Sequence, residues 1–247
     1  MDTAFIIGNG ESRNIFPIDN LKGHGTIYGC NAIYRDHPML CDHIVAVNPP
    51  MYEELAQWHN DGKESPSIHG PDDISTWNYI CEGDHENHIP EGLKIYRVWR
   101  GGDVKKGGKI KTNDFSKARG SGCSAVLMAA ESGIKNIVVM AFDIMGAQQW
   151  EMDTPSRLQN NIYKNSINYP DRASMKAYLK YEWMYQLRQT FKRFPKTNFY
   201  FINRKEYLEG NPFLRWYFDQ PNIKCGIYAD LQRWISGSRD DIRWKQL

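Results

Sequence analysis

A series of short apolar runs, four of which stop at Gly8, Asn31, Asn48 and Asp143, constrains this chain more than any other feature. The run at 137–142 (Ile-Val-Val-Met-Ala-Phe) is continuous and rich in β-branched residues, as a strand covered on both faces should be. Similar runs at 4–7, 26–30, 43–47, 93–99 and 198–203 are read as further strands. Helical patterns lie between them. A short one is expected at 51–59, and another at 122–132 with Gly133 as a left-handed C-cap. At 171–194, Ala177, Tyr181, Met184, Leu187, Phe191 and Phe194 step by three or four, with Asp171 as N-cap and Pro195 as stop. Strands alternating with helices predict an α/β fold whose largely parallel, Rossmann-like sheet is flanked by helices. The expected organisation is one domain, 1–247. It carries an excursion without clear periodicity at 60–92 and a tail of short helical pieces at 205–247 after a last strand at 198–203.

In such sheets ligands sit at the carboxyl ends of the strands. Two glycine-rich elements fall there. Gly8-Asn9-Gly10-Glu11-Ser12 follows the first strand, and Arg119-Gly120-Ser121-Gly122-Cys123-Ser124 opens an alanine-rich helix. Small residues at a strand end or helix start leave backbone N–H groups exposed, and these together with the helix dipole favour an anion. Asn31 and Asn48 end the second and third strands, and Asp143 ends the strand at 137–142, as a ligand-positioning or catalytic carboxylate or as a helix cap. Arg119 stands at the mouth of Ser121-Gly122 as a candidate phosphate partner.

Composition narrows the class. With 41% hydrophobic and 24% charged residues in 247, the chain reads as a soluble globular protein. A net charge of +2 gives no global basic field. The five cysteines are scattered and odd in number, there is no basic segment followed by an apolar one at the N-terminus, and no apolar run approaches a membrane span. A cytoplasmic protein with reduced thiols is the expectation. Cys81, His85 and His88 have zinc-like types but no second cysteine pair at finger spacing, so a polar loop is the reading there. The run Arg97, Arg100, Lys105, Lys106, Lys109, Lys111, Lys117 and Arg119, against Asp103 and Asp114, is a solvated loop or a guide for an anionic donor or a DNA acceptor. No serine-hydrolase elbow, Walker loop or dinucleotide fingerprint is present.

As a set, these motifs carry a resemblance. Gly8-Asn9-Gly10-Glu11-Ser12 resembles the Gly-Asn-Gly-Pro-Ser turn of a superfamily. Its members are the sialyltransferases of the Campylobacter type, motility-associated glycosylation proteins and archaeal-type hydroxymethylpterin diphosphokinases. Cys30-Asn31-Ala32-Ile33-Tyr34 is similar to its Cys-Asn-x-x-Tyr, and Val47-Asn48-Pro49 to its third-strand Asn-Pro. Ser121-Gly122 with the strand to Asp143 is similar to its Thr-Ser-Gly helix and Gly-x-Asp strand, and Tyr163 and Tyr169 stand where the sialyltransferases have paired tyrosines.

The resemblance covers about residues 3 to 205 and implies a nucleotide-sugar donor. Gly8, Asn9, Gly10 and Ser12 would contact phosphate or ribose, and Asn31 and Asn48 the nucleotide. Ser121 and Gly122 would lie near the donor's sugar or phosphate, and Tyr163 and Tyr169 would hold the leaving phosphate. Glu11 replaces the family proline, and the family's histidine after the tyrosines has no counterpart, because all seven histidines lie at or before His88. Asp143 and Asp171 are the remaining candidates for a base. Glycosyl transfer without a metal is the leading expectation. A Mg²⁺-dependent diphosphokinase and a non-catalytic nucleotide-binding module are the alternatives.

Overall fold

The computed structural model describes residues 2–46, 51, 54–55, 58, 67–70, 96–97, 120–144, 161–169, 177–209, 212–238, 242 and 244–246. Eight parallel strands form one sheet: β1 (Thr3–Ile7), β2 (Thr26–Cys30), β3 (His43–Val45), β4 (Ser67–Gly70), β5 (Tyr96–Arg97), β6 (Asn136–Met140), β7 (Asn198–Asn203) and β8 (Ile223–Ile227). Their order is β5-β4-β3-β2-β1-β6-β7-β8. Pairing is in parallel register throughout, with Ile6 opposite Tyr28 on one side and Val139 on the other. The fold class is therefore the α/β, Rossmann-like one that the apolar runs predict.

A wholly parallel sheet must be covered on both faces, and the side chains alternate accordingly. Ala4 and Ile6 of β1, Ile137 and Val139 of β6, and Phe199 and Phe201 of β7 share one buried cluster. That face is covered by α1 (Ser121–Glu131), α2 (Ala177–Arg193), α3 (Lys205–Glu209) and α4 (Pro212–Tyr217). Phe5, Ile7, Val138, Met140, Tyr200 and Ile202 point the other way. They meet Phe16, which follows the 3-10 turn Glu11–Ile15, the 3-10 turns Ile18–Leu21 and Asn31–Arg35, and α5 (Tyr228–Ile235). Met184, Leu187 and Phe191 of α2 are fully buried, as the three-four stepping requires. Removing the Phe191 side chain would cost about 3–5 kcal/mol.

α1 ends as its sequence predicts, with Gly133 in the left-handed region at φ +77°. Two expectations are corrected. The tail is not only helical, since Ile223–Ile227 adds β8 beside β7. The excursion at 60–92 contributes a strand, Ser67–Gly70, paired with β3. The expected strand at 93–99 is present as Tyr96–Arg97. Of the helix expected at 51–59, the described Met51, Glu54, Leu55 and Trp58 are helical. At the far edge, Cys225 exchanges both backbone hydrogen bonds with Lys245, at 2.8 and 3.1 Å.

The order places the site. The chain builds outward from β1 through β2 to β5, then returns to lay β6 on the other flank of β1. Strand connections diverge at that point and leave a crevice at the carboxyl ends of β1, β2 and β6.

Candidate functional site

Backbone bonds carry β1 beyond its last strand residue. Gly8 N donates to Met140 O and Gly10 N to Ala141 O, each at 2.9 Å. This close approach explains the glycines. A Cβ on Gly8 would lie 2.4 Å from Ala141 O, and one on Gly10 2.4 Å from Asp143 Cγ. Ala141 itself takes φ +57° and Asn31 φ +51°. The left-handed region is unusual for alanine and tolerated by asparagine. Both residues stand at strand ends on the rim of a cleft of about 150 Å³. Gly8, Asn9, Gly10, Cys30, Asn31, Gly120, Ser121, Gly122, Cys123, Ala141, Phe142, Asp143, Ile144, Asn161 and Trp183 line it.

The start of α1 opens into this cleft. Gly120 is the N-cap and supplies no side-chain cap, and the first turn holds no acidic residue. The earliest backbone bond of the helix runs from Ser124 N to Gly120 O. The amides before it therefore have no intrahelical acceptor, and they carry the positive end of the helix dipole. Two aromatic rings close around these glycines. A Cβ on Gly122 would lie 2.7 Å from the Phe142 ring, and one on Gly120 2.9 Å from Trp183 Nε1. Ser121 Oγ donates to Asn31 Oδ1 at 2.7 Å, which ties α1 to the end of β2.

Asp143 knits the rim together. Its Oδ2 accepts from Ser12 N at 2.9 Å, and its Oδ1 accepts from Ser12 Oγ at 2.5 Å and from Asn203 Nδ2 at 3.0 Å. Ser12 Oγ also shares a hydrogen bond with Tyr228 OH at 2.9 Å. Burial pushes the Asp143 carboxyl above its ordinary pKa, and these hydrogen bonds offset that only in part. The result is a cleft-lining carboxylate with raised basicity, the property a proton acceptor needs.

Tyr163 and Tyr169 do come together, their rings 5.7 Å apart between centroids. They stand behind the cleft wall rather than in it. Tyr163 OH donates to Asp36 and accepts from Arg13 Nη2 at 2.8 Å, while Arg13 is paired with Asp36. The Tyr169 hydroxyl accepts from Asn9 Nδ2 at 3.2 Å. Burial raises the pKa of both phenols. Arg35 lies over both rings and forms a bidentate pair with Glu54, each contact at 2.6 Å. Asn9 keeps one capacity in reserve. Its Oδ1 is buried and has no hydrogen-bond partner among the described residues. An unpartnered buried acceptor costs about 1–3 kcal/mol, which a donor on a ligand would recover.

Of the residues read from sequence, Gly8, Asn9, Gly10, Asn31, Ser121, Gly122 and Asp143 meet in the cleft. Ser12 is buried and turned toward Asp143, so it holds the turn rather than lining the cleft. Asn48, Arg119 and Asp171 lie outside the described residues, as do Cys81, His85, His88 and the lysines of the basic run. Sequence reasoning did not select Trp183, Asn161, Asn203, Tyr228 or Arg13. Only Trp183 had a visible signal, a large aromatic one step off the apolar stripe of its helix. Among the described residues, no group of three or more His, Cys, Asp or Glu side chains is placed to hold a metal ion. No described helix is long and apolar enough to cross a membrane. No protein-family model matches the chain, and no curated protein and no solved structure matches it significantly.

Proposed function

We propose that the cleft seats the phosphate-bearing end of a nucleotide-sugar and that the protein is a glycosyltransferase. The observation that carries this reading is the start of α1, without a side-chain N-cap or an acidic residue, which opens into a cleft at the point where the strand order reverses. Leaving of a nucleotide puts charge on phosphate oxygens, and amides aimed at that charge lower the barrier without reorganising. Asn9, Asn31, Ser121 and Gly122 contact the donor, and Asp143 takes the proton of the incoming acceptor hydroxyl. Ser12, Asn203 and Tyr228 hold that carboxylate and its turn in place. Cys30, Cys41, Cys123 and Cys225 are all buried and outside any disulfide, which fits a reducing, cytoplasmic setting.

The test is a calorimetric screen of nucleotides and nucleotide-sugars, followed by Asn9→Ala and Asn31→Ala. Binding that drops in both variants, with donor turnover in the presence of an acceptor, supports the reading. Candidate acceptors include glycans and oligonucleotides. Activity lost to EDTA and restored by Mg²⁺ would favour diphosphoryl transfer instead. Tight binding with the ligand recovered unchanged would leave a nucleotide-binding module. If no nucleotide binds, the reading fails.

A further inference from the structure

The wall of the cleft opposite β1 comes from α2, an element to which no part of the donor contact set belongs. Trp183 is its residue there. The pyrrole edge of the indole lies against the start of α1, with Nε1 2.9 Å and Cδ1 3.2 Å from where a Cβ on Gly120 would be. Any side chain at 120 would displace this ring. Glycine at that position therefore lets a tryptophan of a distant helix reach the helix start.

Trp183 is only half-buried and packs against the core through its flank. Its side chain makes no hydrogen bond among the described residues; Cys123 Sγ meets only its backbone carbonyl, at 3.5 Å. An indole N–H is a donor that can never accept. Placed beside amides that are also donors, it matches a ligand group that only accepts and repels one that donates. A phosphate oxygen satisfies that condition. Asn9, whose Oδ1 is buried without a partner among the described residues, lines the same cleft.

We propose that Trp183 is a ligand-contacting residue whose indole N–H donates to a phosphate oxygen seated at the start of α1. This rests on the reading of the cleft as a phosphate-ester site and adds a side-chain donor to it. It also sets selectivity: beside an indole N–H, which cannot accept, the position favours an oxyanion over a group that must donate there. Phe142, whose ring meets the neighbouring Gly122, adds an apolar surface to the same cleft.

The experiment titrates inorganic pyrophosphate, UMP and CMP into the parent protein, Trp183→Phe and Trp183→Ala. Phenylalanine keeps a ring and loses the N–H. The expected result is about a tenfold or greater loss of affinity in Trp183→Phe for every phosphate ligand that the parent binds, and a similar loss in Trp183→Ala. A hydrogen bond to a charged group predicts this pattern, whereas a packing role spares Phe and penalises Ala. Parent-like affinity in Trp183→Phe, or a loss confined to Trp183→Ala, overturns the proposal. Thermal unfolding confirms that each variant is folded, and if Trp183→Ala is not, Trp183→Phe decides alone. If the parent binds pyrophosphate but neither nucleotide, the pyrophosphate titrations decide Trp183. A parent that binds none of the three overturns the Trp183 proposal, while the nucleotide-sugar reading stands or falls by the full nucleotide screen.

Discussion

The knot around Asp143 permits a quantitative test. Asp143→Ala removes the acceptor of three donors: Ser12 N, Ser12 Oγ and Asn203 Nδ2. A buried donor left without a partner costs about 1–3 kcal/mol. Two of the three retain a second partner, since Ser12 Oγ keeps Tyr228 OH at 2.9 Å and Asn203 Nδ2 keeps Phe142 O at 3.5 Å. The total is therefore about 2–4 kcal/mol rather than the full sum. Ser12→Ala takes away one donor to a charged acceptor and should cost about 1–2 kcal/mol. The two residues touch, so their losses overlap, and the double variant should fall short of additivity by about 1 kcal/mol or more. Urea unfolding at pH 7, with unchanged slopes, measures all three. Additivity within about 0.5 kcal/mol, or a loss below about 1 kcal/mol in Asp143→Ala, would refute the network as described.

The pH dependence has a definite sign. Because burial raises the Asp143 pKa, the folded protein holds a proton that the unfolded chain has already released. This contribution to stability is complete below the ordinary carboxylate pKa and is lost as pH rises through the higher folded value. Asp143→Asn should flatten that part of the profile.

Gly10→Ala forces a Cβ to within 2.4 Å of Asp143 Cγ and 2.6 Å of Ala141 O. It should destabilise by about 1–3 kcal/mol, and urea unfolding with parent-like stability would contradict the close approach. Glu54 is pushed up by burial but held below its usual pKa overall by Arg35, Tyr34 and Asn168. Its stabilising effect is present above the unfolded carboxylate pKa and lost as pH falls through the lower folded one, so thermal melts of Glu54→Gln should show a smaller loss of stability on the acid side than the parent. Burial, then the neighbouring Cys123, pushes the Cys30 thiol up to about 12. At pH 8 only about one thiol in ten thousand is ionised, so peptide mapping after iodoacetamide should find Cys30 unmodified in the folded protein and modified in urea; rapid native labelling would contradict this.

What the sequence makes legible follows from how each signal is written. β2 and β7 have the predicted bounds because their apolar runs, buried on both faces, stop at a polar residue, Asn31 after β2 and Asn203 at the end of β7. β8 was not legible. In its Ile-Lys-Cys-Gly-Ile, at the sheet edge, Lys224 and Gly226 break the apolar run and leave only single apolar residues between them. In β4, Ser-Ile-His-Gly has one apolar residue and reads as a loop until its neighbour β3 supplies the ladder. In the site, Asn31 was visible because it ends an apolar run, Asn9 because it sits in the Gly-Asn-Gly turn after one, and Ser121 because it opens a glycine-flanked helix start. The inward turn of Ser12 was not, because it depends on Asp143, 131 positions away. Tyr228 and Asn203 likewise act through contacts that only the crossover of the chain creates.

The pair of bonds between Cys225 and Lys245 reaches beyond local packing. β8 ends the sheet, and an open strand edge is a template for another chain. Trp244 anchors the covering segment, lying over Gly226 where a Cβ would come within 2.4 Å of its ring, and packing beside Trp234 and Tyr200. Because Gly226 offers no side chain, the indole can lie flat enough for its neighbour Lys245 to meet the strand. At Cys225, therefore, the edge position that a further strand would use is already taken by the chain's own backbone, held there by the seated tryptophan.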